Sequence, residues 1–163
     1  MTVPNLAASA QFLRETEIRR GFELLYFGQS SLTRVADAEL DAQKLGRAHY
    51  RALYFIARKP SLSVSELLRL LAITKQSLGR VLGDLAERGL VESRSDDRDA
   101  RKRLLRLTAE GTALEARVYQ LLRERLAKAY QAAGPEAVAG FWTVLESLIP
   151  DADRAMIRAL GER

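Results

Sequence analysis

The 163-residue sequence predicts a mainly α-helical chain carrying one small β-hairpin. Three observations lead there. Apolar residues recur at helical spacing along most of the chain, a capped helix is followed after a tight turn by a second capped helix, and two short extended stretches then flank a polar run.

The elements follow from local chemistry. From Ser9 to about Ala38, Phe12, Ile18, Phe22, Leu25, Tyr26, Leu32 and Val35 recur at roughly helical spacing, which reads as one long helix or two joined ones, with Gly21 and Gly28 as weak points. A helix from about Gly46 to Arg58 buries Leu53, Phe55, Ile56 and Ala57, and Lys59-Pro60 ends it because proline disfavours a helical residue before it. Ser61 and Leu62 are then extended. Ser63-Val64-Ser65-Glu66 is a capping box that starts a short helix to about Leu71. Ala72-Ile73 makes a tight turn. Thr74 caps the next helix, whose Leu78, Val81, Leu82 and Leu85 share one face, and Gly89 supplies a left-handed end. Leu90 to Arg94 and Arg103 to Leu107 are extended stretches on either side of SDDRDARK, the tip of a wing. After Thr108, Leu114, Val118, Leu121, Leu122 and Leu126 mark a helix to about Ala132. Ala133-Gly134-Pro135 breaks it, and Val138, Phe141, Trp142, Leu145, Leu148 and Ile149 line the next helix until Pro150. Ala152 to Leu160 adds a turn or two.

Helix, tight turn, helix and hairpin, in that order, is a winged helix-turn-helix. Composition narrows what such a unit does. The chain is long enough for one domain or one core with appended helices, and 47% hydrophobic with 29% charged residues favours a packed interior over disorder. Having no cysteine, it has no disulfide, thiolate zinc site, iron–sulfur cluster or thiol switch; with a single histidine, no metal or cofactor is expected. The first residues lack a leader pattern and no stretch of about 18 apolar residues occurs, so the chain reads as soluble and cytoplasmic, with no membrane partner.

The net charge of +5 has an address. Residues 1–46 carry 5 basic and 6 acidic side chains, residues 47–110 carry 14 and 8, and residues 111–163 carry 7 and 7. A cationic centre between neutral flanks suits a phosphate-binding lobe, although a solvated basic face is the plainer reading of any such excess.

The second helix of the unit has the residues to enter a major groove. Opposite its apolar face lie Lys75, Gln76, Gly79, Arg80 and Gly83, with Thr74 and Ser77 near its start. Gln and Arg pair with purine edges, while Lys75 and the hydroxyls suit phosphate. The two glycines either admit close backbone approach to DNA or are tolerated surface positions. In the wing, Arg94, Arg98, Arg101, Lys102, Arg103 and Arg106 outnumber Asp96, Asp97 and Asp99. Arg98 between carboxylates suggests a guanidinium held extended by a bidentate pair, ready for a narrow minor groove; the alternative is a solvated turn with weak ion pairs.

ITKQSLGRVLGDLAERGLVESRSDDRDARKRLLRLTAEG resembles the recognition helix and wing of MarR-type transcriptional regulators, with Asp96-Asp97-Arg98 at the family's D-x-R position and Leu107-Thr108 through Gly111 at its L-T-x-x-G helix start. SVSELLRLLAI resembles the first half of the helix-turn-helix, and LGRAHYRALYFI, TKQSLGRVL and AAGPEAVAGF are similar to the PetP-like branch. Gly79 stands where relatives often have a small polar residue. The resemblance implies a homodimer on a pseudo-palindromic operator, often with a small effector between the dimer helices and the DNA-binding lobe. It also implies that Arg98 is the minor-groove arginine and Asp96 its positioning partner. On that reading residues 1–46 and 111–163 are the dimerisation regions and residues 47–110 the DNA-binding lobe, with Phe12, Phe22, Phe141, Trp142 and Leu145 at the interface unless they fill the monomer core. A dimer also follows from geometry, since one unit of this size reads one half-site and a second sits roughly 34 Å along the duplex.

His49 lies in an aromatic-rich helix with Tyr50 and Tyr54 where the family's effector cleft begins, and Tyr26 and Phe27 are placed in the same region. A lone histidine here is a ligand or pH sensor, or a satisfied packing residue. Two other functions compete with transcriptional regulation: a winged-helix module that binds an acidic protein partner, and an enzyme. The last is weakest, because the sequence has no Gly-rich phosphate loop, no H-E-x-x-H and no serine paired with its histidine.

Overall fold

The computed structural model describes residues 11–161 and contains eight α-helices, one 3₁₀ turn and three short strands among them. The expected helix start at Ser9 and the leader-free reading of the first ten residues lie outside the described residues. A 3₁₀ turn (Gln11–Leu13) leads into α1 (Glu15–Arg34) and α2 (Asp37–Ala42). Then come α3 (Arg47–Arg58), β1 (Leu62–Ser63), α4 (Val64–Leu71), α5 (Lys75–Glu87), β2 (Val91–Ser95) and β3 (Arg103–Leu107). Three helices close the chain: α6 (Ala109–Ala133), α7 (Pro135–Leu148) and α8 (Asp151–Gly161).

Two local expectations are corrected. Gly21 and Gly28 do not weaken the first helix, which runs through both; the break falls at Val35–Ala36, where Ala36 is buried and turns the chain onto the core. Ser61 is not extended. Its φ is +66°, so the chain turns there and only Leu62–Ser63 is strand. That strand pairs antiparallel with β3, Leu62 opposite Leu105, and gives a sheet of order β1-β3-β2.

The start signals hold at atomic detail. The Ser63 hydroxyl accepts from the Glu66 amide at 3.2 Å while the Glu66 carboxylate accepts from the Ser63 amide at 2.9 Å. Partial burial raises the Glu66 pKa, but hydrogen bonds from Lys59 at 2.5 Å and from Ser63 outweigh it and hold the group at about 2. Ala72 turns the chain in the left-handed region between α4 and α5. Gly89 does the same after α5.

One core unites the lobe with its flanks. Leu53, Ile56, Leu62, Leu67, Leu78, Leu85 and Leu105 are fully buried together with Leu40 from α2 and Val118 from α6. Each such side chain contributes roughly 1.5–3 kcal/mol by leaving water. The wing is bolted to α6 at Gly111, where an added Cβ would meet the Leu90 carbonyl oxygen at 2.0 Å. The same carbonyl accepts from the Thr108 amide at 3.1 Å, and the Thr108 hydroxyl caps α6 by accepting from the Gly111 amide at 3.0 Å.

Three stability outcomes follow. Gly111→Ala costs about 1–3 kcal/mol in chemical denaturation because backbone must move, whereas Gly79→Ala, whose Cβ meets nothing within 4 Å, gains about 1 kcal/mol. Because folding lowers the Glu66 pKa from 4.5 to about 2, its contribution is present above about pH 4.5 and is lost as pH falls toward 2. Glu66→Gln, which keeps a capping-box partner, therefore flattens the decline of stability across that window relative to the unaltered chain.

Candidate nucleic-acid interface and adjoining cavity

Helix α5 presents two unlike faces. Leu78, Val81 and Leu85 are buried, while Lys75, Gln76, Ser77, Gly79, Arg80 and Gly83 are exposed together on the opposite side. Thr74 begins the helix, its hydroxyl accepting from the Ser77 amide at 3.1 Å and donating to the Ser77 hydroxyl at 2.9 Å. The Thr74 hydroxyl is thus committed to the cap, while the Ser77 hydroxyl, which only accepts there, keeps its own proton to donate. The outward face carries two cations, one carboxamide, the Ser77 hydroxyl and bare backbone at the glycines, a donor-rich strip with no acidic side chain in its first turn.

The wing is ordered by its aspartates, but not as the sequence suggests. Asp96 does not hold the Arg98 guanidinium; its Oδ1 accepts from the Arg98 backbone amide at 3.0 Å. Asp99 repeats the device at the Arg101 amide, at 3.1 Å, and adds a contact to the Arg101 guanidinium at 3.4 Å. These are turns closed by an Asp side chain, a chemistry for which Asp is selected over longer acids. The backbone is set, and the exposed Arg98 side chain projects without an acidic partner among the described residues. Lys102 closes the tip through its carbonyl, which accepts from the Asp96 amide at 3.0 Å. Arg103 is not at the tip: its Nη2 donates to the Ser93 hydroxyl across the hairpin at 2.6 Å. Arg94, opposite Leu104 and one register position short of the tip, lines with Arg106, Pro60 and Ser61 a depression of about 460 Å³ at the end of α3.

A second cavity, of about 300 Å³, opens where α1, α2, α3 and α6 meet. Gln29, Thr33, Leu40, Arg47, Tyr50, Arg51 and Leu122 line it. The Tyr50 hydroxyl is buried without a hydrogen-bond partner, and burial followed by the nearby Glu115 charge pushes its pKa up. Arg47 is tied to Asp37 by two contacts at 2.6 and 2.8 Å, which hold the Asp37 carboxyl below its ordinary value. Arg51 has no such tie among the described residues.

Of the five residues expected at an effector cleft, only Tyr50 lines this cavity. Tyr26 and Phe27 sit further up α1, exposed and edge-on to each other at 5.3 Å. Tyr54 packs between Tyr50, Phe55 and Tyr119. His49 faces α5 instead: its Nε2 lies 2.9 Å from Asp84 Oδ2, and its Nδ1 accepts from the Gly46 amide at 3.0 Å. Sequence reasoning missed Gln29, Thr33, Arg47 and Arg51. Helical spacing from Tyr50 pointed to Arg47, but only the packing of α1 and α6 makes the rest converge.

The expected interface residues are largely exposed. Phe12 is 66% and Phe22 72% exposed, Phe141 and Trp142 are exposed, and Leu145 is half-buried. Trp142 donates to the Tyr130 hydroxyl at 3.0 Å, joining α7 to α6. No side chain of α1 is buried.

The sequence pattern of the MarR family matches residues 43–102, from the turn after α2 to the wing tip. An HTH-type transcriptional regulator, PetP of Rhodobacter capsulatus, is 47% identical over 151 residues, spanning 93% of this chain and 91% of the relative. The chain belongs to the MarR family. It is accordingly a transcriptional regulator that binds DNA and not an enzyme. Solved structures share the fold. A mutant of MarR from E. coli, complexed with operator DNA, superposes with a TM-score of 0.67 at 23% identity, over 86% of this chain and 99% of that one. NadR in complex with 4-hydroxyphenylacetate gives 0.68 at 24% identity, over 76% and 88%. Among the described residues of this MarR-family chain, no helix is long and apolar enough to cross a membrane, and no cluster of His, Cys, Asp or Glu is arranged to hold a metal ion.

Proposed function

We propose that the chain acts as a homodimer on a pseudo-palindromic operator, with α5 in the major groove, the wing tip at the flanking minor groove, and a small anionic ligand in the α1–α2–α3–α6 cavity governing release. The observation that carries this reading is the bare outward face of α5. Buried Leu78, Val81 and Leu85 leave Gln76 and Arg80 the side chains free to pair with base edges, while Lys75 and the Ser77 hydroxyl meet phosphate and Thr74 holds the helix start. Gly79 and Gly83 carry no side chain to keep backbone from the duplex. At the wing, Arg98 reaches the minor groove from a turn that Asp96 closes, and Arg101 and Lys102 add phosphate contacts; Arg94 and Arg103 act from the strands. With a chromosomal target, the protein works in the cytoplasm.

The dimer rests on exposed apolar surface. Phe12, Ile18, Phe22, Phe141, Trp142 and Val144 stand in water on α1, its leading 3₁₀ turn and α7, too much apolar area for a free helical frame to leave uncovered. The ligand reading rests on Arg51, a cation with no ionic partner among the described residues, lining together with Tyr50 one space of about 300 Å³. NadR, with its bound 4-hydroxyphenylacetate, supports a small aromatic carboxylate as the ligand class.

Two experiments test this. In electrophoretic shifts on the protein's own upstream DNA, affinity falls by orders of magnitude between about 50 and 200 mM salt. Arg98→Ala weakens binding and makes the salt slope shallower, whereas Gln76→Ala and Arg80→Ala change sequence preference by about 1–3 kcal/mol per lost pairing. An unchanged slope removes the wing from the reading; equal losses on operator and random duplex demote Gln76 and Arg80 to phosphate contacts. In sedimentation the chain runs as a dimer, and replacing Phe22 and Trp142 together by Ser yields monomers; a monomeric starting protein overturns the assembly.

A further inference from the structure

Helix α5 is held by more than its apolar face. Two polar ties fasten its C-terminal half to the corner between α2 and α3. Asp84, one turn beyond Arg80, receives His49 at 2.9 Å, and Arg88 donates to the Gln43 carbonyl at 2.9 Å. The geometry settles the state of the imidazole. Because Nδ1 accepts from the Gly46 amide, the ring proton is on Nε2 and is given to the Asp84 carboxylate. His49 therefore closes the start of α3 with one nitrogen and holds α5 with the other. Its side chain is 17% exposed and that of Asp84 53%, so the pair is weak as a source of global stability but well placed to fix an angle between helices.

We propose that His49 is the positioning residue for DNA reading: its Nε2–H holds Asp84 and so sets the rotation of α5 about its axis and its tilt from α3. The apolar contacts of Leu78, Val81 and Leu85 resist separation of the helix from the core but define its rotation less sharply than a directional bond does. Base readout needs Gln76 and Arg80 within hydrogen-bond range of particular edges, and small rotations of α5 carry both away at once. The bond also keeps the Asp84 carboxylate engaged on the lobe side instead of free to repel phosphate. This rests on the proposed role of α5 as the base-reading helix. It names a residue outside that helix as a determinant of its aim.

The test uses full-length, tag-free dimer and the duplex that wild type selects from a random pool, with a scrambled duplex as control. His49→Asn keeps an acceptor in the place of Nδ1 but is too short to reach Asp84; His49→Gln places an amide donor at the position of Nε2. Affinity of His49→Asn for the selected duplex falls about tenfold, the scale of one impaired base pairing, with little change on scrambled DNA or in thermal midpoint. His49→Gln and Asp84→Asn, which keep a donor and an acceptor respectively, stay within about twofold of wild type. Asp84→Ala reproduces the His49→Asn loss, and combining the two adds nothing further. As the only imidazole in the chain, His49 gives a single set of ring-nitrogen resonances, and these report the Nε2–H tautomer. Undiminished preference for the selected duplex in both His49→Asn and Asp84→Ala, or an Nδ1–H tautomer, overturns the proposal while leaving α5 as the reading helix. A wild type that selects no duplex overturns the reading of α5 itself.

Discussion

Burial of one face of α5 is the constraint on which the rest of the molecule turns. Leu78 and Leu85 are almost wholly out of water, and Val81 nearly so. A helix pinned by i, i+3 and i+7 positions must present the remaining arc outward, whatever residues occupy it. In this chain the arc holds Lys75, Gln76, Ser77, Gly79, Arg80 and Gly83. The lobe around it serves to hold that arc still: α4 and the Ala72 turn fix its entry, Gly89 its exit, and His49 and Arg88 its polar side.

The wing depends on the same core by a different route. Val91 and Leu105 anchor the hairpin, and the absence of a side chain at Gly111 lets α6 press against the Leu90 carbonyl. Any substituent there pushes the wing away from α6 and shifts its tip relative to α5. The tip itself is shaped by short-range bonds from Asp96 and Asp99 to backbone amides, so its form needs no contact with the rest of the protein. The exposed face of α5 and the wing tip are thus positioned by separate means from one shared core.

Legibility in the sequence followed the range of the interactions. Capping at Ser63 and Thr74 was readable because each cap is closed within three residues. Gly89 and the two hairpin strands were readable for similar reasons. β1 was not, since two residues have no period and Leu62 becomes strand only by meeting Leu105, far along the chain. The break at Val35–Ala36 was missed because burial of Ala36, not glycine propensity, sets it. At the candidate site the outward face of α5 could be read from helical spacing alone. The cavity could not, because Gln29, Arg51 and Leu122 come from three helices whose packing no local pattern encodes. His49 was singled out for its chemistry, yet its partner Asp84 lies 35 residues away and became visible only in the fold.

Two copies of one α5 face reading one duplex in register is the claim on which the functional reading stands. Hydroxyl-radical footprinting of the purified protein on the DNA upstream of its own coding sequence tests this directly. The expected pattern is two protected segments on one face of the duplex, centred about one helical turn apart, roughly 34 Å, or a whole multiple of it. A single protected segment, protection without helical periodicity, or no protection at low salt contradicts it.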